Sequence, residues 1–338
     1  MSNSGRVILL VLSLLGLVWF VSKISWVIQL IVISLLIVYV LFPITEYLKK
    51  KRNVSHFLAV GVTFLCFLFV ILILIVLVFP VVQREIQEIA IDLPKYIVQL
   101  QRYIEEASDY LMAFDLGPEI VGFVRNIFTY LHPALKELAS FSVSVISGFI
   151  DIFLIMFMVF YLLYDFKNIR LMLVKILPGR YQAYSEIFIA IIDRNIGNYI
   201  RGNVVRCTIV GLLTGIILSI IGMPYSLLLG IVAGLLNIIL YIGPYVAAIP
   251  ALLLSLSPQN PSLLVVIIIY VAVQAVDGFL LTPMLLGRAV RLKPITIIIS
   301  LLVGQQLAGV LGMIMAVPLA GIIRSLMDYF GYIGEKAN

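Results

Sequence analysis

Long apolar runs separated by short polar stretches dominate this sequence. A transmembrane α-helix needs roughly 20 consecutive, mostly apolar residues, and several runs approach or exceed that length. These runs are 7–22, 26–42, 57–80, 141–164, 204–222 and 263–282. They lack the strict alternation of apolar and polar residues that is typical of barrel strands. The pattern therefore predicts an all-α polytopic membrane protein with about six full spans.

The last third of the chain differs because its apolar runs are short and interrupted. One stretch breaks at Gly243 and Pro244, and another has a polar centre of Gly304, Gln305 and Gln306. We interpret both as helical hairpins, either re-entrant or fully spanning, which follow the same order of elements and so predict an inverted repeat. The alternative is that glycine and proline are simply frequent in membrane helices. The residues assigned to hairpin tips and hinges are Gly243, Pro244, Pro250, Pro283, Gly304, Gly309 and Pro318.

Composition and charge refine this picture. A chain with 63% hydrophobic and 12% charged residues is not a water-soluble globule. Cytoplasmic loops retain Lys and Arg, so the basic stretches 49–52 and 165–203 are predicted to lie inside. Residues 83–140 are richer in acids and are predicted to lie outside. Both termini of this cell-membrane protein are then cytoplasmic, and the net charge of +6 needs no nucleic acid to explain it.

These features divide the chain into four regions. Residues 1–82 form an N-terminal three-span region, and 83–140 form extracytoplasmic amphipathic helices. Residues 141–203 supply a span and cytoplasmic connector helices, and 204–338 form a transport region that holds both hairpins. No small-residue cleavage site follows the first run, 7–22, so we interpret it as a retained helix and not as a cleaved signal.

Two carboxylates lie within apolar runs, Asp151 in the outer half of 141–164, where we interpret it as interfacial, and Asp277 in 263–282. A charged residue at the centre of a membrane helix costs roughly 2.5 to 3.5 kcal/mol on insertion scales, so it normally faces a partner or a hydrated cavity. Asp277 is expected about one turn from the end of its span, with Gln274 on the same helical face. One interpretation makes Asp277 a substrate- or ion-binding residue between the hairpin tips, with Gln305, Gln306 and Asn237 as polar contacts.

A structural role for Asp277 is the alternative interpretation. The carboxylate would then pair with Arg288 or Arg291, or accept hydrogen bonds from the broken backbone before Pro283. From the residues alone, the two interpretations stay open.

Other kinds of chemistry lack the residues that they need. His56 and His132 fall on opposite sides of the predicted membrane, which removes a histidine-based metal cluster or a Ser/His catalytic pair. Asp277 does not follow the Gly-x-Gly of an intramembrane aspartyl protease, and the chain has no P-loop for ATP. The sequence therefore predicts a protein that is not an enzyme and that uses no cofactor and no metal.

A resemblance to a known family supports the prediction of a membrane transport protein. The run "VQAVDGFLLTPMLLGRAVRLKPITIIISLLVGQQLAGVLGMIMAVPLAGII" (273–323) resembles the signature of the autoinducer-2 exporter family, and "YIRGN" (199–203) and "YIGPYVAAIP" (241–250) resemble two more of its blocks. The family often has Pro where this chain has Leu240, and Gln where it has Asn203. These departures concern the sharpness of the first hairpin tip and a polar contact beside it.

The resemblance implies export of small molecules, with the quorum signal autoinducer-2 as the substrate that names the family. It also implies a homo-oligomer, a pentamer, and it covers members proposed to exchange sodium or lithium for protons. We therefore expect a secondary transporter that exports a small polar solute through the lipid bilayer. A sodium (lithium)/proton antiporter with a monovalent cation as its partner, a passive channel and a structural membrane protein are the alternatives.

Overall fold

The computed structural model describes residues 23–52, 54–89, 148–172, 174–175, 182–287 and 292–337, together with Ile91 and Val98. Within these residues every regular element is a helix and none is a strand. The helices are α1 (Ser25–Arg52), α2 (His56–Ile73), α3 (Gly148–Met172), α4 (Gln182–Ile220), α5 (Ser226–Leu236), α6 (Gly243–Leu254), α7 (Leu263–Val276) and α8 (Pro294–Ala337). Helices α2 and α7 continue as π-helix over Leu74–Val78 and Asp277–Leu286. Since backbone groups in lipid must pair within the chain, helices suit a bilayer.

Six helical stretches in the described residues are long and apolar enough to cross a membrane. They are Ser25–Lys51, His56–Ile89, Gly148–Met172, Ile189–Ile220, Leu263–Leu286 and Pro294–Met327. Five of them coincide with the expected runs, and the sixth contains the second expected hairpin. The expected run 7–22 lies outside the described residues. The prediction of an all-α polytopic membrane protein is confirmed.

Helix α4 joins two elements that the sequence pattern separates. It runs for 39 residues, from Gln182 to Ile220, and passes the expected boundary at Asn203 without a break. The last part of the predicted cytoplasmic connector, which ends at Asn203, and the span predicted over 204–222 are therefore one continuous helix. Most of the expected extracytoplasmic segment, 83–140, lies outside the described residues.

The first hairpin consists of α5, α6 and a tight turn between them. Both helices are shorter than the roughly 20 residues that a full span needs. A Cβ atom on Gly243 would lie 1.8 Å from the carbonyl oxygen of Leu236, so only glycine lets the two arms meet this closely. The turn closes with Leu240 buried at its centre, without the proline that the family often has there.

The second hairpin lies within α8. The helical dihedrals are interrupted at Ala308 (φ −147°, ψ 24°) and Gly309 (φ 59°, ψ −139°). Gly304 and Gly312 would be about 12 Å apart along a straight helix. A Cβ on Gly312 would instead lie 1.9 Å from the carbonyl oxygen of Gly304. The chain therefore reverses at Ala308 and Gly309, and the two arms of α8 touch backbone to backbone.

The chain divides into two units by its internal contacts, Met1–Cys66 with Ile146–Ser185 and Phe67–Val145 with Glu186–Asn338. In the first unit, Phe166 of α3 packs against the rings of Tyr39 and Phe42 of α1. Also in this unit, Thr45 of α1 donates a hydrogen bond to Thr63 of α2, with 3.1 Å between the two oxygens. The second unit contains both hairpins. Its apolar core includes Leu218, Leu229, Ala251, Val266 and Val273.

Candidate functional site

Two opposite charges lie side by side within the apolar helices. The Arg206 side chain, on α4, and the Asp277 side chain, at the start of the π-helical segment, are each 2% exposed. The Nη1 atom of Arg206 donates to Oδ2 of Asp277 at 3.0 Å. Each residue is near the middle of its apolar stretch, Ile189–Ile220 and Leu263–Leu286 respectively. Asp277 is thus deeper in its helix than the sequence pattern suggests, and its attraction to Arg206 offsets part of the cost of burying both charges.

The guanidinium of Arg206 bonds to more than the carboxylate. Its Nε donates to Oδ1 of Asn203 at 3.0 Å, and its Nη2 donates to the backbone carbonyl of Asn237. Nη1 also lies 3.5 Å from the hydroxyl of Thr282. All three nitrogens are therefore engaged, which is what a fully buried guanidinium requires.

These side chains fasten the tip of the first hairpin. Helix α5 ends at Leu236, so the carbonyl groups that follow it are at a broken helix end, where the regular helical donors stop. Arg206 supplies a donor to the carbonyl of Asn237, and Nδ2 of Asn203 donates to the carbonyl of Ile238 at 3.2 Å. Asn203, at the position where the family often has Gln, makes the polar contact at this corner. The α4 side chains thus satisfy backbone groups that the hairpin leaves open inside the membrane.

Glycines on α4 and α5 bring these groups together. Gly211 and Gly215 on α4 face Gly230 and Gly234 on α5. A Cβ on Gly230 would lie 2.7 Å from the Cα of Gly215 and 2.8 Å from the carbonyl oxygen of Gly211. Pairs of small residues four apart allow membrane helices to cross at backbone distance. This crossing places the end of α5, with Asn237, beside the polar face of α4.

A second close approach positions Asp277. A Cβ on Gly202 of α4 would lie 2.2 Å from the carbonyl oxygen of Leu285, so α4 touches the π-helical segment directly. That segment contains Pro283, which has no amide hydrogen to donate. The π-helical segment begins at Asp277 and spans ten residues.

The cluster also presents two acceptor atoms that need a donor. Oδ1 of Asp277 and Oδ1 of Asn237 are buried and have no hydrogen-bond partner in the part of the chain that the structure describes. Nδ2 of Asn237 lies 3.4 Å from Oδ2 of Asp277, which orients the amide with its nitrogen toward the carboxylate. Buried acceptors are normally satisfied. The arrangement can therefore accept hydrogen bonds from hydroxyl or amine groups, or a proton on the carboxylate.

The structure brings some of the predicted site residues together and leaves others apart. Asn237 contacts Asp277 directly. Gln274 is half-buried on α7, one turn before Asp277. Gln305 and Gln306 are exposed in the first arm of α8, and no side-chain hydrogen bond among the described residues joins them to Asp277.

The hinge residues occupy turns, helix interiors and the contact between the α8 arms. Gly243 and Pro244 open α6, and Pro250 lies inside it. Pro283 lies in the π-helical segment. Gly304 lies before the second tip and Gly309 at it, and Pro318 is buried in the second arm of α8.

The counter-charge of Asp277 was missed by sequence reasoning. Arg288 and Arg291, the partners considered from the sequence, lie outside the described residues, and the described partner is Arg206. A signal was present, because Arg206 interrupts an apolar run and has Asn203 three residues before it, on the same helical face. Among the described residues, no group of His, Cys, Asp or Glu is arranged to hold a metal ion.

Comparison with known proteins places these features in a family. A family model described as "AI-2E family transporter" matches residues 7–330. The chain is similar to the "Putative transport protein YueF" of Bacillus subtilis, with 29% identity over 337 residues, 93% of this chain and 90% of that protein. It is 28% identical to the "Putative transport protein YrrI" of the same organism over 302 residues, 89% and 85% of the two chains. The "AI-2 transport protein TqsA" of Escherichia coli is 24% identical over 307 residues, 88% and 84%.

Proposed function

The chain belongs to the AI-2E transporter family, and on that basis we propose that it is a secondary transporter that exports a small polar solute. Autoinducer-2 is the solute that we propose first, because one relative is named for AI-2 transport. The observation that carries the proposal is the buried pair of Arg206 and Asp277 at the tip of the first hairpin.

The chemistry of this cluster suits a solute rich in hydroxyl groups. Transporters with broken helices bind their substrates near the membrane midplane, where a helix end exposes backbone groups. Here the end of α5 lies beside a carboxylate and a guanidinium. The Oδ1 atoms of Asp277 and Asn237 are free to accept hydrogen bonds from a solute. In our proposal the solute donates to these two oxygens, while Arg206 balances the charge of the carboxylate.

Exchange of sodium or lithium for protons is the second candidate. Two buried oxygen atoms favour it, since carboxylate and carbonyl oxygens are ligands for hard cations. The guanidinium of Arg206 lies 3.0 Å from the other oxygen of the same carboxylate and would repel a bound cation. We therefore place cation exchange after solute export.

Flux into proteoliposomes tests these candidates against each other. Purified protein is reconstituted, a pH gradient is imposed, and uptake of autoinducer-2, sodium and lithium is measured separately. Saturable uptake of autoinducer-2 that depends on the gradient is the expected result. Saturable cation uptake alone would favour the antiporter, and single-channel current steps in a planar bilayer would favour a channel. Absence of all three would count against a transport role for this cluster.

We also propose a homo-oligomer, a pentamer, as the family resemblance implies. The mass of the purified complex in detergent, measured by light scattering with the detergent contribution subtracted, checks this. A monomer mass at concentrations that support flux would refute the proposed assembly.

A further inference from the structure

The first arm of the first hairpin is capped by another helix. Helix α5 begins at Ser226, and its N-cap residue, Tyr225, has φ 58° and contributes no side-chain cap. The amide of Leu228, in the first turn of α5, instead donates to Oε2 of Glu85 at 2.8 Å. Glu85 is 143 residues away in sequence, near the end of the helical stretch His56–Ile89. A carboxylate at this place satisfies an open amide and complements the positive end of the helix dipole.

The contact is part of a packed interface and is not an isolated surface bond. Ile89 belongs to the same apolar cluster as Met223 and Leu228, and Val82 and Ile86 pack against that cluster. Val82, Ile86 and Ile89 lie on residues 79–89, which continue α2 and its π-helix and are called the α2 extension here. They flank Glu85 at helical spacing, so they hold its side chain toward the start of α5. Glu85 is accordingly half-buried. By contrast, Arg84 and Glu88 beside it form an exposed pair at 3.6 Å.

Helix α5 is consequently held at both ends by side chains from other helices. Glu85 binds its N-terminal turn, and Arg206 binds the carbonyl of Asn237 just beyond its C-terminal end. The helix has 11 residues, so about 16 Å separates the two ends at 1.5 Å per residue. A short, regular helix moves as a rigid rod, and a displacement at one end therefore shifts the other.

We propose that Glu85 is a positioning residue for the transport site. Through α5 it sets where Asn237 lies relative to Asp277, and it couples the α2 extension to the first hairpin. In the predicted topology the cap lies at the outer face of the membrane, at the opposite end of α5 from Asn237. This proposal rests on the proposed function.

Three variants distinguish a role of Glu85 in positioning the hairpin tip from a role only in the stability of the first turn of α5. Glu85→Ala removes the cap. Glu85→Gln keeps a side chain of the same length with one acceptor oxygen. Glu88→Ala is the matched control, one turn further along the helix. Amide hydrogen exchange of the purified full chain is followed by mass spectrometry over 223–240. In Glu85→Ala we expect roughly fivefold faster exchange, about the factor that one lost helix cap corresponds to, both at the start of α5 and at the tip around Asn237. Glu85→Gln should restore most of the protection, and Glu88→Ala should match the wild type.

Faster exchange confined to the start of α5 would overturn the proposal, because Glu85 would then stabilise one helix turn without reaching the tip. Solute uptake adds a second readout on equal amounts of assembled protein. There we expect the apparent KM of Glu85→Ala to rise roughly fivefold and that of Glu85→Gln to stay near the wild type. An unchanged KM in Glu85→Ala would also overturn it. A wild type that transports no solute would refute the proposed function, and hydrogen exchange at the tip would still decide the role of Glu85.

Discussion

Asp277→Asn removes one charge of a buried pair and leaves the other in place. From the sequence alone this substitution looks like a clean test of the site, because it keeps the volume of the side chain. The structure changes that expectation, since Arg206 would then be a buried cation, 2% exposed, without a counter-charge. Breaking one side of a buried ion pair typically costs about 3 to 5 kcal/mol. That is a large fraction of the roughly 5 to 15 kcal/mol that stabilises a folded domain.

A double-mutant cycle separates loss of stability from loss of transport function at this ion pair. Arg206→Gln alone strands the carboxylate and should be as damaging as Asp277→Asn alone. The double variant carries no buried charge and keeps polar groups near Asn203 and Asn237, so it should recover most of the lost stability. We expect a coupling energy of about 3 kcal/mol, at the upper end of what contacting residues give. It is measured from unfolding in mixed micelles, with the assembled fraction of each variant followed by size-exclusion chromatography.

The same double variant tests the transport role. If it assembles like the wild type but no longer moves solute under a pH gradient, the charges serve transport as well as folding. If it transports normally, Asp277 is a structural group and the site hypothesis fails. A single Asp277→Asn variant as stable as the wild type would refute the energetic reasoning itself, because the guanidinium would then not depend on the carboxylate.

Three further predictions follow from other parts of the structure. Gly312→Ala should lower the stability of the protein by about 1 to 3 kcal/mol, because its Cβ would lie 1.9 Å from the carbonyl oxygen of Gly304, and an unchanged melting temperature would contradict this close contact. Gln306→Ala should reduce solute flux by no more than one neutral hydrogen bond, about 0.5 to 1.5 kcal/mol, and complete loss of flux would contradict a secondary role. A cysteine replacing Gln87 should react with an impermeant maleimide in intact cells, whereas one replacing Lys51 should react only after lysis, and the opposite result would reverse the proposed topology.

The sequence predicts those features of the fold that depend on one helix alone. Apolar length alone identifies the spans, and the interruptions at Gly243 and Pro244 and around Gly304 identify both hairpins. The continuity of α4 was harder to predict, because its N-terminal part is amphipathic and its C-terminal part is apolar, so one helix has two different patterns. The periodicity of apolar residues depends on what surrounds each face of a helix. It therefore changes along one helix where water gives way to lipid or protein.

The sequence predicts only some residues of the site, because the others are identified by contacts between helices. Asp277 is conspicuous because a carboxylate in an apolar run is costly, and Asn237 because it falls at a hairpin tip. Arg206 was not singled out, since its pairing with Asp277 joins residues 71 positions apart and depends on the close crossing of helices. That approach is made at Gly202, where a Cβ would lie 2.2 Å from the carbonyl oxygen of Leu285. A small residue favours contact between helices but does not name the partner helix.

The two hairpins differ in a way that bears on how the site works. At the tip of the first, Asn237, Ile239 and Leu240 are buried, and backbone carbonyl groups are bonded to side chains of α4, while Tyr241 and Ile242 are exposed. At the tip of the second, Gln305, Gln306 and Gly309 are exposed. Non-helical backbone is tolerated at membrane depth only against protein or beside water. Water, solute, a second copy of the chain or residues outside the described part must therefore cover the second tip. The first tip is thus bonded to α4 within the described chain, whereas the cover of the second tip comes from beyond the described residues.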